Sequence, residues 1–369
     1  MVQKYNTLLN FSYNSTKPTL IYSEFGIYAM FIINNNNYKG VINMNIKKIG
    51  LTALAASLVS VSAHAGAVSV AGSASMNTEG YSGENLNAGT TFSMGNQLTF
   101  TGSGELDNGM NVSISFVLDQ NDDSTAASAA YSGGPFDSHS VKVSSDTLGS
   151  LTLAGEGGSS AASSIDGTAA GDIWDTFDGS RGAVTAVAVS DSGPGDNSLF
   201  YTLPSIMDGL DVNLSYQPQG SGRESATGMG VTYTGMEGLT VKYATTDEAG
   251  TTVANSGDQT VWNVSYVYGP VTATVSEAEF DVGTSTLDQT TSSYALSYTV
   301  SDEISVTYGE ETIEKGGSTT DAEYSAISAS YTAGGMTISM AIKEAENVAH
   351  GTATNQDFEY WSLGASFAF

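Results

Sequence analysis

Phe358-Glu359-Tyr360-Trp361-Ser362-Leu363-Gly364-Ala365-Ser366-Phe367-Ala368-Phe369, the last stretch of the chain, decides the fold. Counting back from the end, Phe369, Phe367, Ala365, Leu363 and Trp361 share one face, and Ala368, Ser366, Gly364, Ser362 and Tyr360 the other. A period of two over about ten residues is a strand, apolar on one side and wet on the other. A soluble sheet rarely leaves such an aromatic end with nothing after it. A barrel in a membrane does, because its last strand closes on its first and its apolar face meets lipid.

The bulk composition of the 369 residues agrees. There are 42 glycines, 6 prolines and no cysteine, and 39 acidic residues stand against 11 basic ones for a formal charge of −28. Hydrophobic content of 40% with 14% charged residues excludes a disordered acidic tail, and the charge balance excludes a nucleic-acid partner. Absence of cysteine suits an exported protein without disulfide staples.

One apolar run breaks the pattern. In residues 44–65, Lys47 and Lys48 form a basic start, Ile49 to Val61 a short apolar core, and Ala63-His64-Ala65 a small-x-small cleavage site. This reads as a secretory signal peptide, too short for a spanning helix of about 20 residues. Residues 1–43, with four consecutive asparagines from Asn34 to Asn37 and without the Gly/Ser/Thr strand texture of the later chain, then read as a spurious upstream extension and are left out of the fold reading. Without residues 1–65 the chain loses five lysines and one glutamate, leaving 6 basic and 38 acidic residues at a net −32.

From Gly66 onward, segments of roughly eight to ten residues alternate apolar with Ser, Thr, Asn or Gly. Ala67 to Ser75 is a short first strand, and an acidic, Gly/Asn-rich connection leads to the next at Gln97 to Leu106. Asp107-Asn108-Gly109 is a tight turn into Met110, Val112, Ile114, Phe116 and Leu118. Further hairpins turn at 146–149, 207–209, 235–238, 269–270, 301–303 and 333–335. The pattern predicts an all-β, transmembrane antiparallel barrel of about sixteen strands, with short periplasmic turns and long external loops. Tyr216, Tyr233, Tyr243, Tyr266, Tyr268, Tyr298, Tyr308 and Tyr331, with Trp262 and Trp361, fall near strand ends, as interfacial girdles require.

The signal peptide, the strand number, the Asp-x-Gly turns, the long gap after the fifth strand and the terminal Ser366-Phe367-Ala368-Phe369 together resemble the Gram-negative general porins. The resemblance spans residues 66–369 as a pattern. It implies a trimeric, 16-stranded outer-membrane porin, a water-filled channel for passive diffusion of small hydrophilic solutes and ions. It also implies that the aromatic end, Trp361, Phe367 and Phe369, is read by the barrel assembly machinery, with outer-membrane lipid as the surrounding partner. No cofactor is required.

The same resemblance makes residues 155–197 the loop that folds into the lumen and narrows it. That segment carries Asp166, Asp172, Asp175 and Asp178, interleaved with Trp174 and Phe177 and followed by Arg181. These carboxylates are expected on the acidic side of the constriction. The arginine cluster usual on the opposing wall is missing. Strand lysines Lys142, Lys242 and Lys343 take its place, since parity points all three inward and a lysine facing mid-bilayer lipid costs about 2–4 kcal/mol. So few cations predict a cation-preferring pore. Asp119, Asp122 and Asp123 are candidate Ca2+ ligands in an external loop, although their spacing fits no EF-hand.

Enzymatic chemistry has little to stand on. His139 and His350 are the histidines beyond residue 65, and neither lies near a G-x-S-x-G elbow. The competing reading is a secreted or surface-attached β-rich adhesin or structural protein. A solenoid of that kind would repeat at a fixed period, and the turn spacings here vary.

Overall fold

The computed structural model describes residues 8–10, 19–23, 26–30, 68–83, 89–119, 136–177, 197–218, 225–248, 257–282, 285–286, 288–350 and 357–369. The chain divides into two compact units, Met1–Ala65 and Gly66–Phe369. In the first, β1 (Leu8–Asn10), β2 (Thr19–Ser23) and β3 (Gly26–Met30) pair antiparallel in sequence order. The segment read as a signal peptide, 44–65, lies outside the described residues.

The second unit is a closed antiparallel barrel. Its strands are β4 (Ser69–Gly83), β5 (Gly89–Glu105), β6 (Asn111–Asp119), β7 (Ser138–Ser145), β8 (Gly149–Glu156) and β9 (Ser198–Thr202). They continue with β10 (Leu210–Gln217), β11 (Ala226–Met236), β12 (Leu239–Glu248), β13 (Gly257–Tyr268) and β14 (Val271–Val282). The last five are β15 (Gln289–Thr299), β16 (Ile304–Lys315), β17 (Ala322–Ala333), β18 (Met336–Glu346) and β19 (Phe358–Ala368). Each strand pairs with its neighbours in sequence, and β19 pairs with β4 to close the ring. The seam ends in reciprocal bonds: Gly72 N–H donates to the Phe369 carbonyl at 2.7 Å, and Phe369 N–H to that of Gly72 at 2.9 Å. Gly72 leaves room for the terminal ring, since a Cβ there would lie 2.4 Å from the Phe369 side chain and push it aside.

Short turns and long connections alternate, so they occupy opposite ends of the barrel. Gly109 and Gly334 adopt φ of 80° and 60° in two of the tight turns, where a side chain would be strained. The first two strands differ from the sequence reading. Instead of ending at Ser75, β4 runs 15 residues to Gly83, and β5 begins at Gly89 and runs 17. The acidic, Gly/Asn-rich stretch 76–96 is therefore largely strand. Its outward residues Met76, Phe92 and Met94 are 60%, 84% and 64% exposed, while Asn77, Glu79 and Ser93 have lumen parity. Small polar residues on the wet face mask the alternation that the outward residues carry.

Elsewhere parity is as read. Trp361 and Leu363 face outward, in one pairing row with Ile342 and in the next with Met340, while Tyr360 and Gly364 are buried inside. The named tyrosines face outward, Tyr268 with 76% of its surface exposed. Tyr216, Tyr266, Tyr268, Tyr298 and Tyr331 lie near strand ends, whereas Tyr243, Tyr308 and Trp262 sit in mid-strand, because the strands run on past the apolar band.

Beyond the apolar band, toward the long loops, the outward face turns acidic. Asp247, Asp258 and Asp281 lie directly opposite one another across β12, β13 and β14. Glu323 lies opposite Glu346, and Glu344 opposite Glu359. Among the described residues the strand lysines, Lys142, Lys242, Lys315 and Lys343, all have the opposite parity. Like charges directly opposite destabilise a sheet pair by about 0.2–1 kcal/mol, and salt screens them. Glu344→Gln, which leaves the 2.7 Å bond from Ser82 Oγ to Glu359 intact, is expected to raise the unfolding temperature of the barrel in low salt. The gain should shrink toward zero as sodium chloride is raised, read by the heat-dependent mobility shift of the folded barrel. An equal gain at both ionic strengths would contradict the repulsion.

Candidate functional site

The longest connection leaves β8 at Glu156 and is described to Phe177. It turns into the lumen and runs along the inner wall, held by one strand after another. Ala161 N–H donates to Ser215 Oγ of β10 at 2.9 Å, and Ala162 N–H to Thr246 Oγ1 of β12 at 3.1 Å. Asn263 of β13 donates its amide to the Asp166 carbonyl at 3.0 Å. Ser276 of β14 donates to the Gly167 carbonyl at 2.8 Å and accepts from Ala169 N–H at 2.7 Å. Ala170 N–H then donates to Ser293 Oγ of β15 at 2.9 Å.

The last anchor carries charge. Glu311 of β16, 1% exposed, accepts from the N–H groups of Ile173 and Trp174 at 2.9 and 3.1 Å, one on each carboxylate oxygen. A 3-10 turn, Trp174–Phe177, follows. Lys343 Nζ of β18 donates to Thr176 Oγ1, and Tyr81 of β4 donates its hydroxyl to the Thr176 carbonyl at 3.1 Å. Phe177 fills a socket that includes Ile313, Tyr324, Ala345, Phe358 and Tyr360. Burying that ring contributes about 1.5–3 kcal/mol.

The anchors from Asn263 to Glu311 share one register with the Phe177 socket. Lys242, Asn263, Ser276, Ser293, Glu311, Tyr324, Ala345 and Phe358 are successive Cα partners across β12 to β19. Ser215 and Thr246 belong to a second row, joined through Gly228, and Lys343 and Tyr81 to a third, joined through Tyr360. The loop therefore follows one row over its middle stretch and meets others at its two ends. The wall is cut back to admit it: a Cβ on Gly228 would lie 2.6 Å from Ser215 Oγ and 3.0 Å from Ala161 Cβ, and one on Gly309 2.5 Å from Ala170 Cβ.

Asp166, Asp172 and Asp175 line one cavity of about 430 Å3 together with Trp174, Val261 and Ala278. Asp166 Oδ1 accepts from Thr168 N–H at 3.0 Å. Asp172, at φ 52°, accepts from Thr168 Oγ1 and, at 3.3 Å, from the Trp174 indole N–H, which sets the ring against the acidic edge. Asp178 and Arg181 lie outside the described residues. Lys343 reaches the loop. Lys242 stands beside Asn263, at the head of the anchor row. Lys142 faces the lumen from β7, between Ser113 and Thr152, away from the anchor row.

The sequence reading missed Glu311, Tyr81 and the Ser/Asn anchors. A signal existed for one of them, since adjacent Glu310 and Glu311 within a strand must point to opposite faces. The serines carry none, being indistinguishable from other wet-face residues. Asp119 ends β6, Asp122 and Asp123 fall outside the described residues, and among those described no three His, Asp or Glu side chains cluster as metal ligands. His139 has an acid that spacing did not reveal, Glu156, 4.0 Å away across the β7–β8 hairpin. His350, in the loop after β18, meets the Thr320 carbonyl at 3.2 Å, and burial pushes its imidazole below the ordinary range.

Residues 50–369 match the family model described as Gram-negative porin. The chain belongs to the Gram-negative porins. Among solved structures it is similar to an anion-selective porin from Comamonas acidovorans, at 15% identity and a TM-score of 0.59, covering 82% of this chain and 99% of that one. It is also similar to a porin refined at 1.8 Å resolution, at 16% identity and a TM-score of 0.59, covering 82% and 100%. An engineered variant of Rh. blastica porin aligns at 16% identity, a TM-score of 0.57 and the same coverage. None of the curated proteins matches. As a Gram-negative porin the chain is an outer-membrane barrel and a channel for solute diffusion, and the family is one of channels rather than enzymes.

In this porin the cut-back wall lets the loop lie close against the barrel at Gly228 and Gly309. Gly309→Val overpacks the Ala170 contact at a cost of about 1–3 kcal/mol, relieved most easily by lifting the loop. Single-channel conductance in planar bilayers is expected to change by roughly 1.5-fold while the barrel stays heat-modifiable. Wild-type conductance in Gly309→Val would show that the loop does not set the aperture.

Proposed function

We propose that this porin is a cation-preferring, general diffusion channel for small hydrophilic solutes. The observation that carries the reading is the acidic edge of the loop: Asp166, Asp172 and Asp175 line one cavity, while Lys343 is engaged with Thr176. Of the remaining candidate residues, Lys142 stands on β7 away from the anchor row, Lys242 beside Asn263 at its head, and Asp178 and Arg181 belong to the same loop sequence. Carboxylates along a narrow aqueous path attract cations and repel anions, most strongly at low salt. The similar Comamonas acidovorans barrel is anion-selective, so the shared fold leaves the sign of selectivity to the side chains. In a potassium chloride gradient the zero-current potential is expected to take the cation sign. Asp172→Asn with Asp175→Asn should move it toward zero, and an anion-signed potential in the wild type would overturn the reading.

The barrel also works, in this reading, as a homotrimer. Its outward face is two-sided. From β9 to β19 it carries the tyrosines, the tryptophans and the acidic rows. Over β4 to β8 the outward residues include Gly72, Ala74, Met76, Gly80, Phe92, Met94, Phe100 and Phe116, aliphatic neighbours such as Leu151 and Leu153, and the polar Thr78 and His139, without an aromatic belt of Tyr or Trp. A wall without interfacial anchors fits protein better than headgroups. Phe369, 75% exposed beside the closing seam, is the residue offered to the assembly machinery, with Trp361 and Phe367 behind it. Deleting Phe369 should cut the yield of heat-modifiable trimer in outer membranes while export to the periplasm continues. Normal trimer yield would remove the assembly role.

A further inference from the structure

The loop is held by two kinds of contact. Its first half hangs on neutral hydroxyls and one amide, from Ser215, Thr246, Asn263, Ser276 and Ser293. Each is a single neutral hydrogen bond or a pair, with a net worth of about 0.5–1.5 kcal/mol. Its second half, where Asp172, Trp174 and Asp175 line the cavity, hangs on charged groups instead. Glu311 spends both oxygens on consecutive backbone N–H groups, and Lys343 grips Thr176 in the following turn. Two carboxyl oxygens match two consecutive N–H groups one to one, where an amide side chain offers a single acceptor oxygen.

Geometry makes this contact directional. Asp172 sits in the left-handed region, which bends the chain there and presents the N–H groups of Ile173 and Trp174 to the wall together. The Asp172 carboxylate accepts from Thr168 Oγ1 and from the indole N–H of Trp174. A carboxylate 1% exposed satisfies its burial only through such bonds. Sheet pairing alone needs no carboxylate at that site: its row neighbours are Ser293 and Tyr324.

We propose that Glu311 is the positioning residue of the constriction, a clamp on the loop backbone, with Lys343 as its second jaw, that fixes where Asp172, Trp174 and Asp175 stand in the channel. Glu311 touches no solute. It acts through the Ile173 and Trp174 amides, and its consequence for ion preference rests on the cation-preferring reading above. The aperture itself does not.

Glu311→Gln tests the clamp, since the amide keeps the size of the side chain but has one acceptor oxygen for two N–H groups. Trp262 and Trp361 are replaced by phenylalanine in both proteins, so that Trp174 is the lone tryptophan. Expected for Glu311→Gln are a single-channel conductance raised roughly 1.5-fold or more, flicker between open levels, and Trp174 emission shifted to longer wavelength. Thr176→Val, which removes only the Lys343 jaw, should show a smaller change in the same direction. Should Glu311→Gln fail to assemble, Glu311→Asp, charged but one methylene too short, is expected to give the widened channel. Folded Glu311→Gln barrels with wild-type conductance and emission would overturn the proposal, whatever their thermal stability. Zero-current potential separates the two claims. A wider channel whose ion preference is unchanged keeps the clamp and removes the loop carboxylates as the source of selectivity.

Discussion

Nothing in the hydrocarbon layer can satisfy a bare backbone N–H or C=O, so a sheet that enters it must have no edge. Every other feature of this porin follows from that requirement. Closure of β19 on β4 fixes which residues face lipid. Parity then leaves Lys142, Lys242, Lys315 and Lys343 facing the lumen, where their charge can be hydrated or bound. It also gives the loop a continuous wall to lie on. An open sheet would offer neither a lumen nor an uninterrupted row of anchors.

The row carries two functions at once. Its backbone groups close the ladder, and its inward side chains, from Asn263 through Glu311 to Phe358, hold the loop. Alternate residues on the same strands carry the interfacial tyrosines on the outside, such as Tyr294 one position from Ser293. A one-residue slip of any strand would exchange the two sets. The register is thus constrained from both faces, by lipid outside and by the loop inside.

Much of this was legible in the sequence. Period-two alternation located the hairpins from Gln97 to Phe369, because lipid punishes an error on the outward face. It failed between Met76 and Asn96, where Gly, Asn, Thr and Glu on the wet face outnumber the apolar outward residues and imitate a loop. The loop aspartates were visible as charges on an unpatterned stretch, and the structure gathers Asp166, Asp172 and Asp175 on one cavity. What holds them was not visible. Ser276 and Ser293 look like any other lumen serines, and pairing to a loop more than a hundred residues earlier leaves no local trace. Lys343 was legible as an inward lysine, but its engagement with Thr176 depends on where the loop arrives.

From Glu156 to Phe177 the loop lies along the barrel wall, bonded to one strand after another, and that changes what can alter the channel over evolutionary time. Each contact belongs to a different strand and uses one inward side chain. A glycine enlarged here, a serine exchanged there, moves the loop locally without touching its length or the lipid face. Channel width in such a design is written on the barrel wall, in separate and independently adjustable letters, while the loop merely takes their imprint.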